Sequence, residues 1–199
     1  MTRWRGERVI GGDPWIHALV DNWYPGDEFV VDDLSLHYYE MKYETAARLK
    51  PTHIVELGVR AGYSAFAFLS AVPEAYYLGI DNGMCDAEQG DQYIAHAHKI
   101  LKRFAHVSFL AHDIQKLERF AMTPWSWETT MAHVDADHSF EGCFHDLKLC
   151  SVAKWILVDD YGVGKDIREA CDEVLTQNPS WTAEFVHDGL RGSLLITTQ

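Results

Sequence analysis

Residues 53–72 read HIVELGVRAGYSAFAFLSAV: a short apolar run rich in β-formers, a turn with two glycines, and a run with helical spacing. A strand, a glycine turn and a helix in this order are the repeating unit of a parallel α/β sheet. Glycine in the turn lets the backbone approach a ligand at the start of the helix. The stretch therefore predicts a fold class and the end of the sheet where a ligand binds.

The same alternation continues along the chain. Further strands are predicted over 75–81, 106–113, 129–137 and 155–160, and helices over 36–49, 93–104, 114–122, 140–151 and 164–177. Two β-like runs, 181–188 and 192–198, are joined by a short link and predict an antiparallel hairpin. Repeated strand–helix units followed by a hairpin predict an α/β protein whose sheet is mostly parallel, with helices on both faces.

The bulk properties limit the domain count. At 199 residues the chain fits a single domain, 1–199, and its 47% hydrophobic content is that of a globular protein. Residues 34–199 carry the α/β pattern. Residues 1–33 lie outside it and contain Trp4, Trp15 and Trp23, so we expect them to form either a lid over the ligand crevice or a segment covering a sheet edge.

Charge and composition also limit the partners. A formal net charge of -13 disfavours nucleic acid, and no apolar stretch is long enough to cross a bilayer. The N-terminus lacks the hydrophobic region of a secretory signal. The four scattered cysteines favour reduced thiols. We therefore expect a cytoplasmic protein that acts on a small molecule, with neither nucleic acid nor membrane as partner. Trp125 and Trp127 fit core packing or a subunit contact, which leaves a homo-oligomer open.

Two apolar runs end in acids. Residues 132–138 read AHVDADH and residues 156–160 read ILVDD. The carboxyl ends of strands line the ligand crevice of an open α/β sheet, so we expect these acids to converge. Carboxylates suit a hard divalent cation, and a histidine beside them suits proton transfer. Asp159 and Asp160 are adjacent, and both can reach one ion only if the chain leaves strand geometry there.

Some roles remain open at this point. Asp137 could replace Asp135 as a metal ligand, accept a hydrogen bond from His138, or face solvent. Asp146, inside the next predicted helix, is expected at the surface, as are His96 and His98 on theirs. A further group near the hairpin, His187 and Arg191, could face the substrate or be solvated.

The glycine turn and the acid after the second strand carry a family resemblance. Glu56, Gly58, Gly62 and Ser64 fit the pattern E-x-G-x-x-x-G-x-S, and Asp81 ends the strand where nucleotide-binding α/β folds place a ribose acceptor. On these residues, 34–199 resemble the class I S-adenosylmethionine-dependent methyltransferases. The resemblance implies a Rossmann-like, doubly wound, seven-stranded sheet, mostly parallel with a C-terminal antiparallel hairpin. It also implies S-adenosylmethionine as cofactor, held by the following residues: Glu56, Gly58, Arg60, Gly62, Ser64, Asp81, His112, Asp113 and Asp135.

The acidic strand ends narrow the resemblance. VDADHSFEGCFHDL and WILVDDYG are similar to the metal-dependent O-methyltransferases, and among them to antibiotic-sugar methyltransferases and cephalosporin-hydroxylase-like proteins. This implies Mg²⁺ on Asp135, Asp159 and Asp160, with His138 as the base that deprotonates a hydroxyl of a small acceptor, such as a sugar or diol of secondary metabolism. Two alternatives stay open: an oxidative, hydroxylase-like enzyme on the same fold, and a non-catalytic cofactor-binding subunit. His133 and Asp135 form the H-x-D pair of some iron oxygenases, but the position of His133 inside a strand favours a packed core residue.

Overall fold

The computed structural model describes residues 13–25, 27, 33–83, 90–120, 125–187 and 191–198. Its centre is a seven-stranded sheet with the strand order 3-2-1-4-5-7-6. The strands are β1 (His53–Leu57), β2 (Tyr76–Asp81), β3 (Val107–Ala111), β4 (Thr130–Val134), β5 (Trp155–Val158), β6 (Thr182–Val186) and β7 (Ser193–Thr197). The first five strands are parallel, and β7 pairs antiparallel with both β5 and β6. The predicted α/β fold and its C-terminal hairpin are confirmed.

Helices flank this sheet on both faces. They are α1 (Pro14–Asp21), α2 (Asp33–Leu49), α3 (Tyr63–Ala71), α4 (Gly90–Leu101), α5 (Phe140–Cys150) and α6 (Lys165–Gln177). One hydrophobic cluster packs α5 and α6 against one sheet face, and a second packs α1, α2, α3 and α4 against the other. The inner strands β1, β2, β4, β5 and β7 are therefore largely buried, which explains their nearly continuous apolar runs, whereas the edge strands β3 and β6 are mostly exposed.

Local sequence explains where two helices begin and end. α2 ends at Leu49 because Pro51 disfavours helical geometry at Lys50, which adopts a φ of 51°. α5 begins after Ser139, whose hydroxyl accepts a hydrogen bond from the Gly142 amide at 3.1 Å.

One element differs from the sequence prediction. Within the helix expected over 114–122, the structure has a single 3₁₀ turn at Ile114–Lys116 and no helix over 117–120, while 121 and 122 lie outside the described residues. Asp113 caps this turn by accepting from the Gln115 amide, and the short segment cannot form a helical face that packs on the sheet. Within 1–33, outside the alternating pattern, the structure contains α1, which carries the buried residues Ile16 and Leu19.

Candidate active site

The carboxyl ends of the central strands meet at one edge of the sheet. The Gly58 amide donates to Ile80 at 2.9 Å, the Asp135 amide to Leu57 at 2.9 Å, and the Asp159 amide to Val134 at 3.0 Å. A cavity of about 740 Å³ lies over this edge. Its lining includes Trp23, Ser35, Tyr38, Tyr39, Gly58, Val59, Arg60, Ala61, Gly62, Tyr63, Ser64, Asp81, Asn82, Asp113, Ile114, Gln115, Asp135, Ala136, Asp137, His138 and Arg191. The volume is within the range of small-molecule sites.

The glycine turn forms one wall of this cavity. Gly58 has a φ of +84°, and a Cβ atom there would lie 2.1 Å from the Asp135 carbonyl oxygen. Asp81 braces the turn: its Oδ2 accepts from the amides of Val59 at 2.8 Å and Arg60 at 3.0 Å, and its Oδ1 from Gly83 at 2.7 Å. A carboxylate offers about four acceptor positions, so Asp81 retains capacity toward the cavity.

Arg60 lines the cavity, as the implied cofactor set requires, and its side chain is held by neighbouring residues. Its guanidinium donates to both carboxylate oxygens of Asp27, at 2.8 and 3.1 Å, and stacks over the Tyr93 ring. Nearby, Trp23 stacks on Tyr63 at 4.0 Å between ring centroids. The described part of the N-terminal segment is thus attached to the cavity wall next to the glycine turn.

Two residues of the implied cofactor set do not line the cavity. Glu56 is buried beneath the wall, where its Oε1 lies 2.8 Å from His133 Nδ1 and its Oε2 accepts from the Tyr77 hydroxyl. His112, at the end of β3, also lies outside the cavity lining. Its backbone amide donates to the Asp81 carbonyl at 3.0 Å.

Asp135 and His138 form an acid–imidazole pair that faces the cavity. His138 Nε2 lies 3.4 Å from Asp135 Oδ1, and the other ring nitrogen lies 3.7 Å from Asp160 Oδ2. Burial and the neighbouring Asp159 charge raise the pKa of Asp135 to about 6. The hydrogen bond to Asp135 raises the pKa of His138 to about 9, against the opposing effect of burial. At neutral pH the pair is therefore a carboxylate and an imidazolium.

The structure shows what the Asp137 carboxylate contacts. Its Oδ1 accepts from the Ser139 amide at 2.9 Å, and its carboxyl group packs directly over Gly142, where a Cβ would lie 2.2 Å from its Cγ. It lines the cavity beside His138, but its hydrogen bond is to the loop entering α5. Asp135 is the acid that contacts His138.

Asp159 points into the interior below the cavity and is 2% exposed. Its Oδ2 accepts from Lys42 Nζ at 3.0 Å and from the Tyr38 hydroxyl, and its Oδ1 accepts from Ser193 at 3.0 Å. Burial by itself would raise the pKa of Asp159, but Lys42, His133 and Tyr38 together hold it below the ordinary value. Asp159 is therefore an ionised carboxylate that accepts from three side chains, one of them a cation.

The Asp160 carboxylate has a different partner from that of Asp159. The φ of 54° at Asp160 shows that the chain leaves strand geometry here, as binding of one ion by two adjacent acids would require. Its oxygens nevertheless accept from Arg191 at 3.0 and 3.2 Å. Arg191 is positioned by close backbone packing on Gly162, where a Cβ would lie 1.9 Å from the Arg191 carbonyl oxygen. Asp159 and Asp160 thus have separate cationic partners.

A metal-like arrangement does occur among the described residues, with different members. His133, Asp135 and Asp159 offer ligand atoms within 4.8 Å of one another. His133 is fully buried, as its position within β4 predicted. Its Nε2, however, lies 2.8 Å from Lys42 Nζ, so this cluster already contains an amino group of the protein.

Lys42 and Arg191 are site residues that the sequence prediction did not include in the site. Lys42 lies four residues from both Tyr38 and Ala46, which places it on the apolar stripe of α2 and was a usable signal. Arg191 lies in the hairpin link, where a solvated arginine was the ordinary expectation, and the strand pairing that brings it to Asp160 is long-range.

Two surface expectations are wrong. Asp146 is fully buried, because α5 turns it toward Gln115 and His145, whose side chains contact its Oδ1 at 3.0 and 3.1 Å. His96 is buried too, packed beside Tyr24 and Tyr63. The three cysteines that the structure describes are unbridged, as expected. None of the helices in the described ranges is long and apolar enough to cross a membrane.

The strand order and the antiparallel β7 are those of a Rossmann-like methyltransferase fold. Among solved structures, the chain is similar to the SAH-bound methyltransferase PaMTH1 of Podospora anserina, with 18% identity, a TM-score of 0.64 and coverage of 92% of this chain and 88% of that one. It is also similar to a putative O-methyltransferase of Klebsiella pneumoniae, with 15% identity, a TM-score of 0.59 and coverage of 96% and 92%.

A third similar structure is the SAM-bound O-methyltransferase TomG of Streptomyces achromogenes, involved in tomaymycin synthesis. Its identity is 18%, its TM-score 0.56, and the match covers 96% of this chain and 92% of that one. No family model matches the chain. No curated protein matches it either. At these identities the likeness concerns the fold.

Proposed function

We propose that this protein is an S-adenosylmethionine-dependent O-methyltransferase that acts on a hydroxyl group of a small molecule. The observation that carries the proposal is the cavity, which joins the Asp81-braced glycine turn to the Asp135–His138 pair. One wall suits a nucleoside cofactor and the other suits a group that must lose a proton. Two of the similar structures are methyltransferases that hold SAH or SAM, and a third is named as a putative O-methyltransferase.

The residues fit the cofactor. Asp81 lines the cavity with acceptor capacity for ribose hydroxyls, and Gly58 and Gly62 keep the turn clear of side chains. Asp113, Ile114 and Gln115 line the adjoining wall, where an adenine ring would lie. When bound, the cofactor supplies a methyl group on a sulfonium ion.

The chain's own contribution is to orient the acceptor and to take its proton. His138 is the proposed base, in the form that has lost its own proton, and the ionised Asp135 stabilises the imidazolium that results. Tyr38, Tyr39 and Trp23 form an aromatic side of the cavity that excludes water from the acceptor. Because the pKa of His138 is raised to about 9, the neutral imidazole that acts as the base is the minor form at neutral pH and increases as the pH rises.

Magnesium, which the resemblance implied, does not fit the acids as they are placed. An octahedral ion needs several oxygens on one centre. Asp159 and Asp160 are instead bonded to Lys42 and Arg191 on separate sides. The proposed methyl transfer therefore includes no metal ion.

The two alternatives receive less support. An oxidative enzyme with an H-x-D iron site would need a ring nitrogen of His133, yet both nitrogens have partners, Glu56 and Lys42. A non-catalytic cofactor-binding subunit would have no use for the Asp135–His138 pair facing the cavity.

The direct test uses S-adenosylmethionine labelled in its methyl group and a panel of small hydroxylated acceptors. We expect label transfer by the wild-type protein and a loss of about 100-fold or more in His138→Ala, with SAH affinity preserved. The matched control is His98→Ala, an exposed histidine on α4 that should retain full activity. Tight SAH binding without transfer to any acceptor would instead indicate the non-catalytic subunit.

A further inference from the structure

Lys42 is an ammonium group placed within a cluster of acids. It lies on α2, its side chain is fully buried, and Nζ lies 3.0 Å from Asp159 Oδ2 and 2.8 Å from His133 Nε2. Its charged end also lies 4.3 Å from the centre of the Tyr38 ring. A lysine is almost never buried this completely unless it is paired, so the contacts of Lys42 must compensate for the water that its ammonium group has lost.

The direction of each hydrogen bond around Lys42 follows from which groups can donate and which can accept. The carboxylate of Glu56 can only accept, and it does so from the Tyr77 hydroxyl and from His133 Nδ1. Since a lysine ammonium can only donate, His133 Nε2 accepts from Lys42. Lys42 also donates to Asp159. Every contact in this series pairs a donor with an acceptor.

Each of the three acids that the resemblance assigned to a metal lies beside a basic side chain of the protein: Lys42 at Asp159, Arg191 at Asp160 and His138 at Asp135. Asp159 is 2% and Asp160 6% exposed. A divalent cation binding there would have to displace Lys42 from Asp159 and leave an unpaired ammonium in the interior, which is strongly unfavourable.

We propose that the Lys42 ammonium takes the place of a divalent cation in this site, so that the protein binds its cofactor and transfers the methyl group without a metal ion. The part concerning transfer rests on the proposed function. Its consequence is a substrate class. Without an ion to chelate, the acceptor does not need two adjacent oxygens, and a single hydroxyl that reaches His138 is sufficient.

The first experiment measures metal binding directly and does not depend on activity. The protein, dialysed against EDTA and then freed of chelator, is titrated with Mn²⁺ and followed by electron paramagnetic resonance. We expect no saturable site tighter than about 1 mM, weaker than ordinary protein sites for hard cations. One Mn²⁺ per chain with a Kd below about 100 μM, lost in Asp159→Asn, would overturn the proposal.

A variant then asks whether Lys42 is what keeps the ion out. Lys42→Met retains the length of the side chain and removes the charge, which leaves Asp159 and His133 able to bind a cation beside Asp135. We expect Mn²⁺ affinity to rise by about tenfold or more, and Asp159→Asn in that background to abolish the gain. Lys165→Met, which removes an exposed lysine on α6, changes the net charge equally and should show no gain. A folded Lys42→Met protein with no gain would count against the proposal.

Activity and acceptor choice complete the test. Label transfer to a monohydroxylated acceptor should be unchanged by EDTA and equal to that for a matched vicinal diol within about threefold. Loss of transfer in EDTA, restored by Mg²⁺, would refute metal independence while leaving the methyltransferase proposal intact. Absence of transfer under all conditions would contradict the proposed function, and the Mn²⁺ titrations would still decide the role of Lys42.

Discussion

The acids at the two ends of the cavity are paired with different kinds of hydrogen-bond donor. The cofactor end is the part beside the glycine turn, and the acceptor end is the part beside His138. At the cofactor end, Asp81 accepts from three backbone amides, that of Gly83 and those of Val59 and Arg60 in the glycine turn 21 to 22 residues earlier. At the acceptor end, Asp159 and Asp160 are satisfied by side chains that lie more than 30 residues away, Lys42 and Arg191. Backbone amides are present whatever the side chain, so a short sequence motif can identify the cofactor end. The acceptor end depends on side chains that tertiary packing brings together, so its chemistry can change while its sequence motif stays the same.

The largest expected effect concerns the buried pair at the acceptor end. Asp159→Asn would leave Lys42 buried without its anion, and we expect a loss of about 3–5 kcal/mol in the free energy of unfolding, measured by urea denaturation. The neighbouring change Asp160→Asn is the matched control. Because Arg191 is about one-third exposed (34%), water can solvate it, and the loss should be near 1 kcal/mol. Equal losses of stability in the two variants would contradict the expectation that the buried Lys42–Asp159 pair is the more costly one to break.

At the cofactor end, the most sensitive position is Gly58. Gly58→Ala would force its Cβ within 2.1 Å of the Asp135 carbonyl oxygen at a φ of +84°. We expect about 3 kcal/mol or more of destabilisation, with SAH binding lost by calorimetry. Gly83→Ala has a similar φ of +70°, yet its nearest contact is 3.7 Å away, so it isolates backbone strain, about 1 kcal/mol. A tolerated Gly58→Ala would show that the turn can move away from β4.

These two ends also show how far the sequence alone could lead. Strand and helix periodicity predicted the sheet because it depends on residues close together in the chain. The glycine turn and Asp81 could be placed side by side because they follow the neighbouring parallel strands β1 and β2. Asp135 and His138 lie three apart and were both expected at this edge, but Asp135 was assigned to a metal ion rather than to the contact with His138 that the structure shows. Lys42 could not be assigned to Asp159, since 117 residues separate them and nothing local marks the contact. Likewise, Asp146 looked solvent-facing because its helix periodicity did not reveal the Gln115 contact.

The next prediction tests whether the backbone amides at Asp81 matter for ligand affinity. Asp81→Asn replaces one acceptor oxygen by a donor, which opposes the amides of either Gly83 or Val59 and Arg60. We expect SAH to bind about 10- to 100-fold more weakly, or roughly 1.4–2.7 kcal/mol, by isothermal calorimetry. Glu118→Gln, an exposed charge change outside the cavity lining, should leave the affinity within about twofold. An unchanged Asp81→Asn affinity would remove Asp81 from the cofactor site.

The smallest effect is expected at Asp146, a buried acid that lacks the arrangement of either end. Its Oδ1 has two partners, but its Oδ2 is buried without a hydrogen bond among the described residues. Burial raises the pKa of Asp146 to about 6. The folded protein therefore holds this proton more tightly than the unfolded chain does, and stability falls as the pH rises from about 4 to about 6.

Replacing this carboxyl with an amide should remove that dependence. Asp146→Asn keeps the shape and an acceptor for Gln115 but cannot ionise, so we expect a gain of about 1–2 kcal/mol in the free energy of unfolding at pH 8 and none at pH 4. The buried amide nitrogen offsets part of the gain, which is why the effect is modest. Asp172→Asn, an exposed change on α6, should show no such pH dependence. A gain of equal size at both pH values would mean that packing, rather than an uncompensated charge, governs this position.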